Sequence, residues 1–349
     1  MLEQKLEYYR QNHLTRKIEL VDKKMINFSS NDYLGLASNN EVKKAFIEGV
    51  RLYGFGSTSS PLISGYHFST QKLEAEFAQI LACEDAMFFN SGYHANLGII
   101  QALGLPIIMD KLSHASIIDG SRLSEKKFYR YHHNDLGSAY NLLKENPKSL
   151  VVTERVFSME GDIANVDKLY NIAKKHDAKL MIDDAHGFGI LENNIKADLV
   201  VIPLGKALGG MGAIAAGNQI IIEYLRQFTR SYIYSTALPP SIAHANLKAL
   251  ELMQRETWRI EKLKCLISLF NTIANKVGLN LASQDSTPIR AILIGDNKKA
   301  KELEQKLQTK GFFVKAIVKP TVQTARIRVS LSSNHSEKNI IDLIEAICL

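Results

Sequence analysis

Five short apolar runs in the first two thirds of the chain restrict its fold more than any other feature. They are Ala86-Met-Phe-Phe89, Pro106-Ile-Ile-Met109, Ser149-Leu-Val-Val-Thr153, Lys179-Leu-Met-Ile-Asp183 and Leu199-Val-Val-Ile202. None alternates apolar with polar residues, so a strand made from any of them must be covered on both faces. Helical patterns separate the runs, which predicts an α/β domain built on a mostly parallel sheet. Ala213-Ile-Ala-Ala-Gly217 followed by Gln219-Ile-Ile-Ile222 reads as one more strand and a helix start.

At 349 residues the chain is too long for one small core. Three regions are expected: a helix-plus-strand segment over 1–26, a large domain over 27–240, and a smaller α+β domain over 241–349. Pro239-Pro240 marks the second boundary. Beyond it, Ser241 to Val277 reads as one long helix with apolar Leu247, Leu250, Leu252, Met253, Ile260, Leu263, Leu266 and Ile267. Strands are predicted at Ile289–Ile294, Phe312–Val318 and Ala325–Leu331, and helices at Asn297–Lys310 and Ser336–Cys348. No internal repeat or low-complexity stretch interrupts them.

Composition excludes several classes. Hydrophobic residues make up 46% and charged residues 23%, ordinary values for a globular protein. Cys83, Cys265 and Cys348 form no C-x-x-C pair, which argues against a zinc site or a disulfide framework and for a reducing cytoplasm. The N-terminus is charged and lacks an apolar signal core. No run approaches the ~18 apolar residues that span a bilayer. The net charge of +7 is spread over dispersed lysines without a basic-aromatic motif, so nucleic acid is not expected as a partner. The charge suits either a plain basic surface or attraction of anionic substrates, such as a phosphorylated thioester or an acidic carrier protein.

The chemistry gathers at strand ends. Asp183 closes an apolar run, and Lys206 stands 23 positions further on, just past the next. A pyridoxal phosphate (PLP) enzyme needs this pair: a lysine for the Schiff base and an acid to keep the pyridine nitrogen protonated. Burial and a neighbouring cation free such a lysine to attack. His186, three residues after Asp183, is placed to reach the ring hydroxyl. A metal site from Asp183, Asp184 and His186 is the rival, but no second ligand cluster accompanies it. A P-loop would need Gly at 200 and Ser or Thr at 207, where the chain has Val200 and Ala207. Gly54-Phe-Gly56 lacks the third glycine of a dinucleotide fingerprint. Asn90-Ser91-Gly92-Tyr93 opens a helix and offers free N–H groups to a phosphate, or is a plain capped turn. His114 is a candidate to stack on a planar cofactor, or a loop histidine. Ser158 is a candidate hydrogen-bond donor to a cofactor oxygen, or a turn cap.

The segments Asn27-Phe-Ser-Ser-Asn-Asp-Tyr-Leu-Gly-Leu36, Ser64-Gly-Tyr66, Ser91-Gly-Tyr93, Leu112-Ser-His-Ala-Ser116, Glu154-Arg-Val-Phe-Ser-Met-Glu-Gly-Asp162, Asp183-Asp-Ala-His-Gly187 and Leu204-Gly-Lys-Ala-Leu-Gly209 together resemble the α-oxoamine synthases. These are PLP-dependent fold-type I enzymes that join an amino acid to an acyl thioester with loss of carbon dioxide. The resemblance spans nearly the whole chain. It implies a large domain with a mostly parallel seven-stranded sheet, a small α+β C-terminal domain and PLP as cofactor. Among site residues it implies Lys206 as the Schiff-base lysine, Asp183 as partner of the pyridine nitrogen and His114 stacked on the ring. Gly92 and Tyr93 fall at the phosphate end, and Ser158 and His186 on the ring-hydroxyl side. Arg328 is similar to the arginine that grips the amino-acid carboxylate, a task suited to a planar fork. Asn31, Thr321 and Arg10 match substrate-facing positions. Ser235 and Thr236 would reach the phosphate of the other subunit, which implies a homodimer with shared active sites.

Tyr234-Ser-Thr-Ala-Leu-Pro-Pro240, Gly212-Ala213 and Ile294-Gly-Asp-Asn297 look most like the branch of the family that uses L-alanine and a pimeloyl thioester, carried on coenzyme A or an acyl carrier protein. Branches using glycine or serine, and an aminotransferase or lyase on the same fold, are the alternatives. The chain departs from the family pattern in four places. Pro203 replaces the usual phosphate-binding Thr. Ser57-Thr-Ser-Ser-Pro61-Leu62 lacks an Arg, the loop after Thr321 is short, and Lys319-Pro320 stands where an Arg is usual.

Overall fold

The computed structural model describes every residue except 13 and 16. In chain order the elements begin α1 (Leu2–Gln11), β1 (Ile26–Asn27), α2 (Asn40–Tyr53), α3 (Phe68–Ile80), β2 (Asp85–Phe89), α4 (Gly92–Leu103), β3 (Ile107–Asp110) and α5 (Ala115–Leu123). Next come β4 (Phe128–Tyr131), α6 (Leu136–Glu145), β5 (Leu150–Glu154), α7 (Val166–Lys175), β6 (Lys179–Asp183), β7 (Leu199–Pro203), β8 (Ala213–Gly217), α8 (Gln219–Phe228) and α9 (Arg230–Ile233). The remainder is α10 (Pro240–Arg255), α11 (Trp258–Lys276), β9 (Ile289–Gly295), α12 (Asn297–Thr309), β10 (Phe312–Phe313), β11 (Lys315–Ile317), β12 (Ala325–Ser330) and α13 (Glu337–Cys348).

Two compact units result. The larger holds Leu34–Phe157 and Ile163–Thr257; the smaller holds Met1–Tyr33, Ser158–Asp162 and Trp258–Leu349. The larger unit is built on the expected seven-stranded sheet, in the order β2-β8-β7-β6-β5-β3-β4. β8 alone is antiparallel to its neighbours. The other six strands therefore end at the same edge of the sheet, where Asp183 ends β6 and the turns carrying Gly92, His114 and Lys206 follow β2, β3 and β7. β6 lies between β5 and β7, with Glu154 in register with Asp183 and Asp183 with Val201. Every residue of β3, β5 and β8 is buried, as unalternating runs require. Met87, Phe89, Ile99, Ile107, Val152, Met181 and Val201 share one core cluster on one sheet face; Ile108, Leu143, Val151, Leu180 and Ile182 share another on the opposite face. Each such side chain contributes ~1.5–3 kcal/mol on full burial.

The smaller unit has a three-stranded antiparallel sheet, β11-β12-β9, and a parallel pair of β1 with β10. α11 and α13 pack together in this unit.

Several expectations need correction. The helix predicted over Ser241–Val277 is two helices, α10 and α11, that bury their apolar faces in different units. The chain passes between units at Thr257/Trp258, because Pro240 opens α10 and α10 packs on α2 and α3. The strand predicted over Phe312–Val318 is split: Phe312 and Phe313 pair with β1, while Lys315–Ile317 pair with β12. Among the described residues of 1–26 the connecting strand is reduced to Ile26 at the start of β1. The edge strand β4 was not expected. Its Phe-Tyr-Arg-Tyr sequence buries only Tyr131.

Candidate active site

Asp183 ends β6 almost fully buried. Its Oδ2 accepts a hydrogen bond from the Asn96 side-chain amide at 2.6 Å, and its Oδ1 accepts from the Ala185 N–H at 3.0 Å. Both donors are neutral. Burial pushes the Asp183 carboxyl above its ordinary pKa, while the bonds from Asn96 and the Ala185 N–H and the charge of Lys206 pull it down. A buried carboxylate held this way is stabilised by a protonated nitrogen placed against it.

A hydrogen-bonded chain runs on from Asp183. Asn96 Nδ2 also donates to Ser116 Oγ at 3.0 Å, and Ser116 Oγ lies 2.7 Å from His114 Nδ1. His114 Nδ1 also accepts from the Ser116 N–H, capping α5. With Nδ1 as acceptor, Ser116 Oγ–H donates to it and the neutral imidazole carries its proton on Nε2. The backbone N–H of His114 donates to Glu154 Oε1 at 2.7 Å, so the neighbour of Asp183 in the ladder also fixes the loop that carries His114.

Ser91 caps α4 by accepting from the His94 N–H, and Gly92 is the first helical residue. A Cβ on Gly92 would lie 2.5 Å from Pro203 Cγ, so glycine is needed there because the Pro203 ring fills the space. Free N–H groups at the start of α4 suit a phosphate. Asn90 donates to Ser235 Oγ at 3.0 Å and to the Thr236 carbonyl at 2.8 Å, which ties the segment after α9 to the turn before α4. Tyr93 is partly exposed and donates to Asp119 at 2.6 Å. His186 is buried in the turn after β6.

The smaller unit gathers a second set. Arg328 is 8% exposed. Its Nε donates to the Ser158 carbonyl at 2.6 Å, and its terminal nitrogens donate to Asn31 Oδ1 at 3.2 and 3.3 Å and to Ser330 Oγ at 2.8 Å. All of these acceptors are neutral. The neighbouring Arg326 is different: it pairs with Glu160 at 2.9 Å. A buried guanidinium held by neutral acceptors favours an anion, and a carboxylate fits its fork. Ser158 takes part through its backbone carbonyl. Asn31 also accepts from Tyr33 at 3.1 Å. Thr321 is exposed, and Arg10 is exposed on α1 beside Glu7. No cluster of metal ligands occurs among the described residues.

Sequence reasoning overlooked Asn96, Ser116 and Glu154. Asn96 had a signal: it stands one turn after Gly92 in α4, and so it shares that residue's face.

The chain matches the aminotransferase class I and II family over residues 23–347. It is 41% identical over 350 residues to 8-amino-7-oxononanoate synthase of Saccharophagus degradans, covering 95% of this chain and 88% of that protein. With the same enzyme of Pseudomonas putida (strain KT2440) it shares 43% over 342 residues, covering 93% and 87%. The chain belongs to the aminotransferase class I and II family, among the α-oxoamine synthases. Two solved structures agree. 8-Amino-7-oxononanoate synthase from Francisella tularensis superposes with a TM-score of 0.83 at 37% identity, covering 94% and 98% of the two chains. A serine palmitoyltransferase from S. paucimobilis with bound PLP and myriocin reaches 0.92 at 25% identity, covering 99% and 96%. The α-oxoamine synthases are PLP enzymes, and the buried Asp183 with the Lys206 amine meets the needs of that cofactor: an acid for a ring nitrogen and an amine for an aldehyde.

Proposed function

We propose that this enzyme joins L-alanine to a pimeloyl thioester with loss of carbon dioxide, the reaction of its 8-amino-7-oxononanoate synthase relatives. The observation that carries the reading is the chain His114–Ser116–Asn96–Asp183 at the sheet edge beside the Lys206 charge. PLP, when bound, supplies an electron sink for the bond broken at the amino-acid Cα. The residues of the chain do the rest. Asp183 holds the proton on the cofactor nitrogen. Gly92 and Tyr93 would hold the cofactor's phosphate end, and Ser158 and His186 would bound its ring hydroxyl. Arg328 binds the alanine carboxylate, with Asn31 orienting its fork and Thr321 facing the substrate. Lys206 takes the Cα proton and returns one after carbon dioxide has left. His114, neutral and protonated on Nε2, donates to the oxygen that gains charge when the thioester carbonyl is attacked.

The protein works as a homodimer in the cytoplasm, with Ser235 and Thr236 completing the partner's phosphate site; Thr236 is exposed in the single chain. Arg10 contacts the substrate. The net positive charge suits an anionic thioester, on coenzyme A or on an acidic carrier protein.

The test is the visible absorbance of PLP-loaded protein titrated separately with L-alanine, glycine and L-serine. A saturable change at the lowest concentration with alanine supports the reading. Preference for glycine or serine moves the enzyme to another branch, and failure to bind PLP overturns it.

A further inference from the structure

Asp183 is followed in sequence by a second fully buried carboxylate, Asp184. Adjacent buried carboxylates compete for protons, and only one can be counted on to face a cofactor cation. The structure gives Asp184 a dedicated counter-ion. Arg155 NH1 lies 3.2 Å from Asp184 Oδ2, with the two side chains 8% and 0% exposed. Its NH2 donates to the Glu192 carbonyl. The Arg155 backbone N–H donates to the Asp183 carbonyl at 2.9 Å, and its carbonyl accepts from Ala164 at 3.0 Å. The turn after Asp184 closes tightly on this pair: a Cβ on Gly187 would lie 2.2 Å from Asp184 Oδ1 and 3.1 Å from Arg155 Cδ.

We infer that Arg155 is a positioning residue: it neutralises Asp184 and clamps the 184–192 turn, so that Asp183 alone carries the charge offered to the ring nitrogen. The inference rests on the proposed PLP reading. Burial, with a smaller push from the neighbouring Asp183, drives Asp184 up to about 7 against the pull of Arg155. Loss of the guanidinium leaves the two carboxylates sharing protons, and the share taken by Asp183 weakens its hold on the cofactor. Asn at 184 removes that competition while keeping the shape.

The experiment measures the PLP dissociation constant and the visible band of reconstituted full-length protein, alongside the thermal midpoint of the apoprotein. It compares wild type, Arg155→Met, Arg155→Lys, Asp184→Asn and the Arg155→Met/Asp184→Asn pair. The expected result is roughly tenfold weaker PLP binding and a shifted band in Arg155→Met, with most of the affinity restored in the double variant. Arg155→Lys, which keeps the charge but loses the fork, should fall between wild type and Arg155→Met, and it serves as the readout if Arg155→Met does not fold. Wild-type affinity and band in the Arg155 variants, with only a lowered thermal midpoint, would overturn the inference. So would a double variant no better than Arg155→Met. Absence of PLP binding by the wild type is a separate outcome, and it overturns the cofactor reading instead.

Discussion

The Asn96 amide donates to Asp183 across 2.6 Å from within α4, and the same nitrogen also donates to Ser116. One side chain thus joins the acid at the end of β6 to the hydroxyl that sets the tautomer of His114. Asn96→Ala leaves a buried carboxylate short of a donor, at a cost of ~1–3 kcal/mol in stability. It should raise the Asp183 pKa further and lower kcat/KM at least tenfold. Steady-state kinetics and a urea titration of the variant check both effects.

Arg328→Lys replaces a five-donor fork with a point charge, and the contacts to Ser158, Asn31 and Ser330 cannot all survive. The KM for the amino acid should rise by about two orders of magnitude, while PLP binding by the larger unit stays unchanged. Kinetics with varied L-alanine, set beside a PLP titration, separate these effects. Equal loss of PLP binding would remove Arg328 from its assigned role.

Gly92→Ala drives a methyl group into the Pro203 ring, 2.5 Å from Cγ. A clash of this kind in a packed turn costs ~1–3 kcal/mol. Pro203→Ala should relieve most of it, so the double variant is expected to melt higher than Gly92→Ala alone. Thermal denaturation of both variants measures the coupling.

The candidate acid and amine were legible in the sequence because Leu180–Ile182 of β6 and Leu199–Ile202 of β7 are apolar, so the Asp183-Asp184 pair that follows one run and the Lys206 that follows the other stand out. β4 was not legible. It pairs with one neighbour only and leaves three of its four side chains partly or fully open, so Phe128-Tyr-Arg-Tyr131 lacks the apolar run of a central strand. The break between α10 and α11 carries no glycine or proline, and tertiary packing decides it. Ser116 lies inside α5, and Glu154, although it ends β5, acts on the backbone of the loop that carries His114; spacing along the chain gives no sign of either contact.

His335 supplies a pH test of the smaller unit. It is buried against Phe28, accepts from the Ser332 N–H on Nδ1, and contacts the Asn27 carbonyl through Nε2. Burial lowers it from 6.5 to about 4. The folded protein therefore binds fewer protons than the unfolded chain between those values. The stability tied to neutral His335 is complete above pH 6.5 and is lost as the pH falls toward 4. At ~1.4 kcal/mol per pH unit the effect is of order 3 kcal/mol. The excess urea stability of wild type over His335→Gln should shrink from pH 7.5 to pH 4.5. A constant excess would show that the histidine titrates normally.

The most direct test of the whole account uses Lys206. PLP-loaded wild type and Lys206→Ala would each be given L-alanine with pimeloyl thioester, on coenzyme A and on a carrier protein, and released carbon dioxide measured. The account predicts one carbon dioxide per thioester consumed by the wild type and none above background from the variant, with the variant's thermal midpoint retained. Turnover by Lys206→Ala at the wild-type rate would contradict it.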